Sequence, residues 1–248
     1  MRIGFLLAFL CSLSQLLLGQ TFEWANSYGG NTTDQGESIT VSDNGANYST
    51  GYFIDSLIFG KDTLVGNSSF FQFFLFKHSS NGNKKWAATT NNLNNASSRG
   101  LSVALSNSGF LYVSGKFKDT VVFNNIDTLI AKGGEDLFLA KYDTSGNFKW
   151  ATSKGSSGDD AGNGIAVHDS LVYVCGNLGY SAYLAEFSSQ GNLQWDTKGK
   201  GKNPNEFKDV DVDPSGNIYC TGDFSNKLKF GNDSLINGGI CWVKFDSA

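Results

Sequence analysis

Proline, methionine and histidine are nearly missing from this 248-residue chain, with 2, 1 and 2 copies. The two histidines, His78 and His168, lie far apart and outside any GxSxG or HExxH context, so nucleophilic or zinc-hydrolase chemistry has no frame. Cysteine is also scarce. Cys11 sits in an amino-terminal apolar stretch, leaving Cys175, Cys220 and Cys241, an odd number that excludes a disulfide scaffold. No CxxC or Cys/His set supports structural zinc, and no cofactor is expected. Charge is modest: the net value is -4 and the pI near 5.1, so the local run Lys198, Lys200, Lys202 and Lys208 does not imply nucleic acid. Beyond the first twenty residues nothing is apolar enough to cross a bilayer, so no membrane span is expected in the mature chain.

What is abundant points elsewhere. With 20 Phe, 9 Tyr, 5 Trp and 30 Gly, the chain favours strands and the turns that reverse them, which predicts an all-β protein. Arg2, the apolar stretch Ile3 to Leu18, and Gly19 and Gln20 have the charged start, greasy middle and small residue of a secretory signal peptide. Residues 1–19 are therefore expected to be a leader and 20–248 a single domain, whole or a fragment of a larger protein, that is secreted, periplasmic or at the cell surface. Phe9 and Leu10 before Cys11 do not suit a lipoprotein signal.

A repeat runs through that domain. FLFKHSSNGNKKW closes at Trp86, FLAKYDTSGNFKW at Trp150 and YLAEFSSQGNLQW at Trp195, each with Gly-Asn four residues before the indole; Trp24 carries only the end of the pattern. Upstream, a second block ends in Gly51, Gly115, Gly176 and Gly222. Gly51 to Trp86 and Gly115 to Trp150 both span 35 residues, but Gly176 to Trp195 spans 19, so the third unit has lost an internal segment. Within units apolar residues alternate, as in Ile39 and Val41, Val103 and Leu105, Ile165 and Val167, and Val210 and Val212, the period of a half-buried strand. SDNGANY, SNSGFLY and DPSGNIY place turn residues between two such runs, so each pair predicts a hairpin, and each unit predicts four antiparallel strands.

Repeated four-stranded sheets are the signature of β-propeller blades, which bury their faces against one another. Four blades are expected. TFEWANSYGG at 21 to 30 reads as a fourth strand without its first three, and Trp242 to Asp246 as a third strand without its fourth. Pairing the Trp24 strand with the Trp242 strand would close the ring and remove exposed edges.

FLAKYDTSGNFKWA and the preceding GxSxAxxxSGxxYVSGxF pattern resemble the SBBP-type β-propeller repeat of exported bacterial proteins, particularly surface proteins of the Bacteroidetes. The resemblance covers about residues 21 to 248 and implies a surface, adhesion or binding role. The third unit departs from it by lacking the segment seen as FGKDTL at 59 to 64 and FGNDSL at 230 to 235. The Trp element also resembles the docking repeats of quinone-dependent dehydrogenase propellers, where indoles lock neighbouring blades; that likeness concerns packing and carries over no cofactor site.

Candidate sites are thin. Trp24, Trp86, Trp150 and Trp195 read as structural, with an aromatic sugar platform as the alternative. Asp209, Asp211 and Asp213 begin like a calcium loop, but Pro214 and Ser215 precede Gly216 and no acidic residue closes it, so no metal is expected. Cys175 and Cys220 are offset by one residue along equivalent strands, so their side chains point to opposite faces and make unlikely partners; Cys220 and Cys241 can pair if register allows, or remain buried thiols. Asp-Ser/Thr pairs make Ser56, Thr63, Thr120, Thr128, Ser170, Ser234 and Ser247 candidates for the O-glycosylation that the Bacteroidetes resemblance implies, although such pairs are also ordinary turn residues. Sequons at Asn31, Asn47, Asn67, Asn95 and Asn232 matter only in a eukaryotic secretory route.

Three functions remain. A non-catalytic binding or adhesion module contacts a protein or glycan through loops that vary between units. A hydrolase or lyase would bring carboxylates such as Asp34 and Asp160 together at the axis. A structural spacer would serve a larger surface protein. The missing catalytic set favours the first; catalytic residues, ligand and oligomeric state are not read from the sequence.

Overall fold

The computed structural model describes residues 21–201 and 204–246. The expected leader, Cys11, Lys202 and Ser247 lie outside them. All regular structure within these bounds is β.

The first unit joins β1 (Asp34–Val41), β2 (Asn47–Phe53), β5 (Gln72–His78) and β6 (Lys84–Asn92) in antiparallel order, with a small hairpin β3 (Ser56–Phe59) and β4 (Asp62–Val65) inserted after β2. The second unit is β7 (Ser97–Leu105), β8 (Phe110–Phe123), β9 (Asp127–Asp143) and β10 (Phe148–Lys154). Here the same inserted hairpin is the prolonged tip of β8 and β9, reached through a register shift between Lys118 and Thr120. The third is β11 (Asp160–His168), β12 (Leu171–Leu178), β13 (Ser181–Ser188) and β14 (Leu193–Lys198), where the hairpin is replaced by a tight turn at Gly179 and Tyr180. The fourth is β15 (Asn205–Val212), β16 (Ile218–Phe224) and β19 (Gly239–Phe245), with an inserted hairpin β17 (Lys227–Phe230) and β18 (Asp233–Ile236).

Turn chemistry sets these boundaries. Ser42, Ser106 and Asp213 each donate their N–H across a short loop, to Ala46, Phe110 and Asn217. The glycine inside each loop, Gly45, Gly109 or Gly216, takes a left-handed φ of 78°, 78° or 84°. That is a three-residue hairpin loop closed by a glycine bulge. The turn before each tryptophan repeats it at Gly82, Gly146 and Gly191. Where the chain leaves β2, β8 or β16 for the inserted hairpin, Asp55, Asp119 and Asn226 adopt φ of 67°, 61° and 70°. Asp and Asn tolerate that region better than other non-glycine residues.

The units stack face to face. Tyr48, Phe73 and Leu75 of the first meet Val113, Phe117, Phe138 and Ala140 of the second. Tyr112, Leu137 and Leu139 of the second meet Ile165, Val172 and Val174 of the third. Tyr173, Cys175 and Leu184 of the third meet Phe207, Val210, Ile218 and Cys220 of the fourth.

The first two junctions, and the seat of residues 21–30 on the first unit, are also pinned at the outer end by a tryptophan. Trp24, Trp86 and Trp150 lie over Gly82, Gly146 and Gly191, so close that a Cβ on those glycines would fall 2.7, 2.8 and 2.9 Å from the indole. The indole N–H of Trp24 donates to Ser80 O at 3.0 Å and that of Trp86 to Thr144 O at 3.2 Å. Gly82 and Trp86 thus belong to one GNxxW motif but serve different neighbours: the glycine receives the preceding indole, and the tryptophan docks on the following glycine. The inserted hairpins add a strand contact between units. Gly29 bridges Ile58, Thr90–Asn92 pair with Val121–Phe123, and Lys200 bridges Lys229.

Two expectations are corrected. Residues 21–30 do not pair with the Trp242 strand: β19 pairs with β16 alone among the described residues. The segment lies on the first unit instead, because Trp24 and Tyr28 find docking sites there. Cys175 and Cys220 do point to opposite faces of equivalent strands, but blades stack by opposite faces, so the two thiols meet across the third junction. Cys220 and Cys241 sit diagonally on β16 and β19, since Cys220 is opposite Val243. All three cysteines are free and buried.

The glycine sockets are testable. Gly146→Ala meets both a left-handed φ of 89° and the Trp86 indole, whereas Gly109→Ala meets only a left-handed φ of 78° with nothing within 4 Å. Urea denaturation is expected to show a cost of about 1–2 kcal/mol for Gly109→Ala and at least about 1 kcal/mol more for Gly146→Ala.

Candidate interaction surface

The innermost strands β1, β7, β11 and β15 each pair on one side only, so their other edges run unpaired along the stack. Each carries a one-residue bulge at the same place: between Gly36 and Ser38, Gly100 and Ser102, Gly162 and Gly164, and Phe207 and Asp209. The extra residues are Glu37, Leu101, Asn163 and Lys208, and they differ in every unit while the framework around them repeats. A bulge interrupts an edge that would otherwise template strand pairing, and re-aims its side chain.

A polar track follows these bulges. Glu135 accepts Lys116 at 2.6 Å and Arg99 at 3.4 Å. The Arg99 guanidinium lies over Phe71 at 4.1 Å and Tyr52 at 5.5 Å, while Tyr52 donates to Gln35 Oε1 at 2.7 Å. Partial burial pushes the Glu37 carboxyl above its ordinary range, and Arg99 and Lys116 pull it back. Further along, Asn163 donates to Glu206 Oε2 at 3.1 Å and to Phe207 O at 2.8 Å, and Lys208 reaches Glu206 at 2.5 Å and Asp223 at 3.9 Å. Charge of both signs, amides and half-exposed aromatics are therefore held on rigid strands rather than mobile loops. The sequence signal for this track was the single extra residue after each inner-strand glycine, which an alternation count passes over.

Carboxylates proposed for chemistry have local duties. Asp34 Oδ2 accepts the Gly30 N–H at 2.8 Å. Asp160 accepts the Ser156 N–H at 2.5 Å, the Ser156 hydroxyl at 2.8 Å and the Gly179 N–H, closing the shortened loop of the third unit. Asp136, near Asp160, accepts the Lys132 N–H at 3.0 Å, and burial raises its pKa. Asp209 and Asp211 each accept the next residue's N–H, at 2.9 and 2.8 Å. Asp213 turns into its own hairpin, where hydrogen bonds led by the Asn217 side chain hold its carboxyl below the ordinary range. Among the described residues no three metal-binding side chains converge.

The histidines are not brought together. His168 lies 3.7 Å from Asp169. His78 is buried, 2.9 Å from the Tyr28 hydroxyl, with its ring stacked on Tyr28 at 5.3 Å and Trp24 at 6.5 Å between centroids. Burial, and then Lys84, lower its pKa. The thiols of Cys175 and Cys241 are raised by burial, consistent with small apolar packing groups.

Of the Asp-Ser/Thr candidates, Thr63, Thr128, Ser170 and Ser234 are exposed and Ser56 and Thr120 half-buried. Asp55, Asp119 and Asp169 have left-handed φ, so those three pairs have a turn-forming reason of their own. Asn47 is buried, Asn67 is half-buried and donates to Asn94 O, and Asn31, Asn95 and Asn232 are exposed.

Stacked units, three of four strands and one of three, with recurring tryptophans between them define a β-propeller-type repeat protein. No protein-family model matches the chain. Among curated proteins it is similar to an uncharacterized WD repeat-containing protein of Acanthamoeba polyphaga mimivirus, 25% identical over 225 residues, covering 64% of this chain and 16% of that protein. The chain thus spans a small part of its relative's length. No helix among the described residues is long and apolar enough to cross a membrane.

The His78 cluster gives a pH test. Its lowered folded-state pKa means that the neutral ring's stabilising contribution is complete above the ordinary histidine range and is lost as pH falls through the folded value. The melting temperature is expected to hold near pH 7–8 and to drop by a few degrees toward about pH 5, with His78→Phe flattening that part of the profile.

Proposed function

We propose that this chain is a non-catalytic β-propeller interaction module, exported to the cell surface or beyond, that binds a protein or glycan along the bulged inner strands. The observation that carries this reading is the bulge found at one position in all four inner strands, presenting Glu37, Leu101, Asn163 and Lys208 from an otherwise repeated framework. A surface meant only to pack would repeat with the packing. Side chains that differ from unit to unit at one repeated position on an open strand edge are what recognition of an asymmetric ligand requires. The WD repeat-containing relative supports a propeller, and the amino-terminal sequence supports export. The SBBP-type resemblance supports a surface setting.

A glycan array and a surface-protein binding screen on the chain from Gln20 test this reading. A hit is expected to weaken about 10-fold or more with Arg99→Ala or Lys208→Glu, the range of a contact at a binding centre. Thr63→Ala on the inserted hairpin is expected to leave it unchanged. Binding that ignores the inner-strand variants and falls with Thr63→Ala would place the ligand elsewhere.

A further inference from the structure

The registers place equivalent residues of the four units on a common forward face, the one that packs on the next blade. Tyr48, Tyr112, Tyr173 and Tyr219 occupy one position; Leu75, Leu139, Leu184 and Trp242 a second; Phe73, Leu137, Ala182 and Ile240 a third. The first three members of each set are buried at a junction. The fourth members are not: Tyr219 is 43%, Trp242 82% and Ile240 73% exposed. Tyr219 and Trp242 line a cavity of about 410 Å³ with Asp209, Asp211 and Lys244. At the opposite end, Ile39 on the back face of the first unit is 63% exposed, whereas its equivalents Val103, Ile165 and Val210 are buried. Val41 beside it is 59% exposed. The forward face of the fourth unit is therefore uncovered, and the back face of the first unit is open at Ile39 and Val41, while Phe74 and Phe76 on that face are buried with Leu57, Phe59 and Tyr28.

The polar fittings are unmatched in the same complementary way. Lys77 and Lys141 each lie over the tyrosine of their own blade, 5.1 Å from the centroid, and donate to a turn carbonyl of the next, Thr144 O at 2.7 Å and Ser189 O at 2.8 Å. Lys244 lies over Tyr219 in the same pose, at 5.6 Å, and has no such carbonyl among the described residues. The equivalent carbonyl on the first unit is Ser80 O, which accepts the Trp24 indole; Thr144 O accepts both Trp86 and Lys77. Tyr48 and Tyr112 pack on Trp86 and Trp150 at 6.2 and 6.1 Å; the third unit departs from this pattern, with Glu186 in place of the lysine opposite Tyr173, and among the described residues no indole packs on Tyr219. Finally, β19 pairs on one side only among the described residues, and residues 21–30 hold the place of a preceding blade's outer strand, with Trp24 seated on Gly82.

We propose that the forward face of the fourth unit docks on the back face of the first unit of a second copy, head to tail. Residues 21–30 of the second copy then form the fourth strand on β19. The Lys77–Trp86 and Leu75–Ala88 pairs set the register, placing Trp24 opposite Lys244 and Asn26 opposite Trp242. Lys244 donates to Ser80 O and Tyr219 packs on Trp24. The second copy is the fitting occupant because Ile39 offers, at the open end of the first unit, the position whose equivalents Val103, Ile165 and Val210 are buried at the internal junctions. Reciprocal docking of two copies buries all four ends; a non-reciprocal contact propagates as a chain.

Light scattering on the chain from Gln20 is expected to show a dimer or larger closed species. Trp242→Asp and Ile39→Asp change exposed side chains, one on each face, and each variant alone is expected to be monomeric, with self-association weakened at least about 100-fold. Circular dichroism checks that both fold. Mixed in equal amounts, they are expected to form a 1:1 dimer through the faces each retains. A wild-type monomer with Trp242 open to a fluorescence quencher overturns the proposal. So does a monomer with Trp242 shielded, which would mean that the chain covers its own end. Wild-type association that survives both substitutions, or variants that fail to complement on mixing, also overturns it.

Discussion

The contact on which the architecture depends is an indole lying on a glycine. In GNxxW the glycine must be a glycine twice over, for its left-handed φ and because the preceding tryptophan occupies the space a Cβ would take. The tryptophan four residues on repeats the contact with the next unit. A single short motif therefore holds a socket for one neighbour and a knob for the other, and copies of it in sequence order enforce stacking in sequence order. The apolar faces supply most of the buried area, but flat sheets of Tyr, Phe, Leu and Val tolerate slippage; the indole on its glycine fixes the offset at the rim.

The inserted hairpins and the inner bulges solve two further problems of the same geometry. At the outer rim, the hairpin of one unit pairs with the tail of the preceding outer strand, removing an edge. The third unit has no hairpin. There Asp160 gathers the loop through Ser156 and Gly179, and the Glu135 N–H donates to Asp159, so side-chain capping replaces strand pairing. At the inner end each edge is left open and broken by a bulge. Here the repeat presents open backbone edges and differing side chains together, which is why the functional proposal rests on it.

Much of this was legible in the sequence because repetition makes turn chemistry visible. The hairpins at Gly45, Gly109 and Gly216, the strand character of their flanks and the shortened third unit all followed from spacing. Contacts between units were less legible. Trp24 was read as part of an outer strand paired with the Trp242 strand; residues 21–30 instead make a single bridge, Gly29 to Ile58, and the docking of Trp24 on Ser80 and Gly82 requires knowing that a tryptophan serves the following unit. The cysteines show the same gap: strand alternation correctly put Cys175 and Cys220 on opposite faces, and only stacking turns opposite faces into neighbours. The bulge residues escaped because an extra residue in one strand looks like an imperfect repeat.

A double-mutant cycle between Trp150→Leu and Gly191→Ala measures the central contact directly. If the indole and the glycine form one interlocking unit, each single change loses it and the pair of changes costs less than their sum, with a coupling of about 1 kcal/mol or more. Additivity within about 0.3 kcal/mol would mean that the indole rests on the turn without locking it, and the account of how the units are held in order would be wrong.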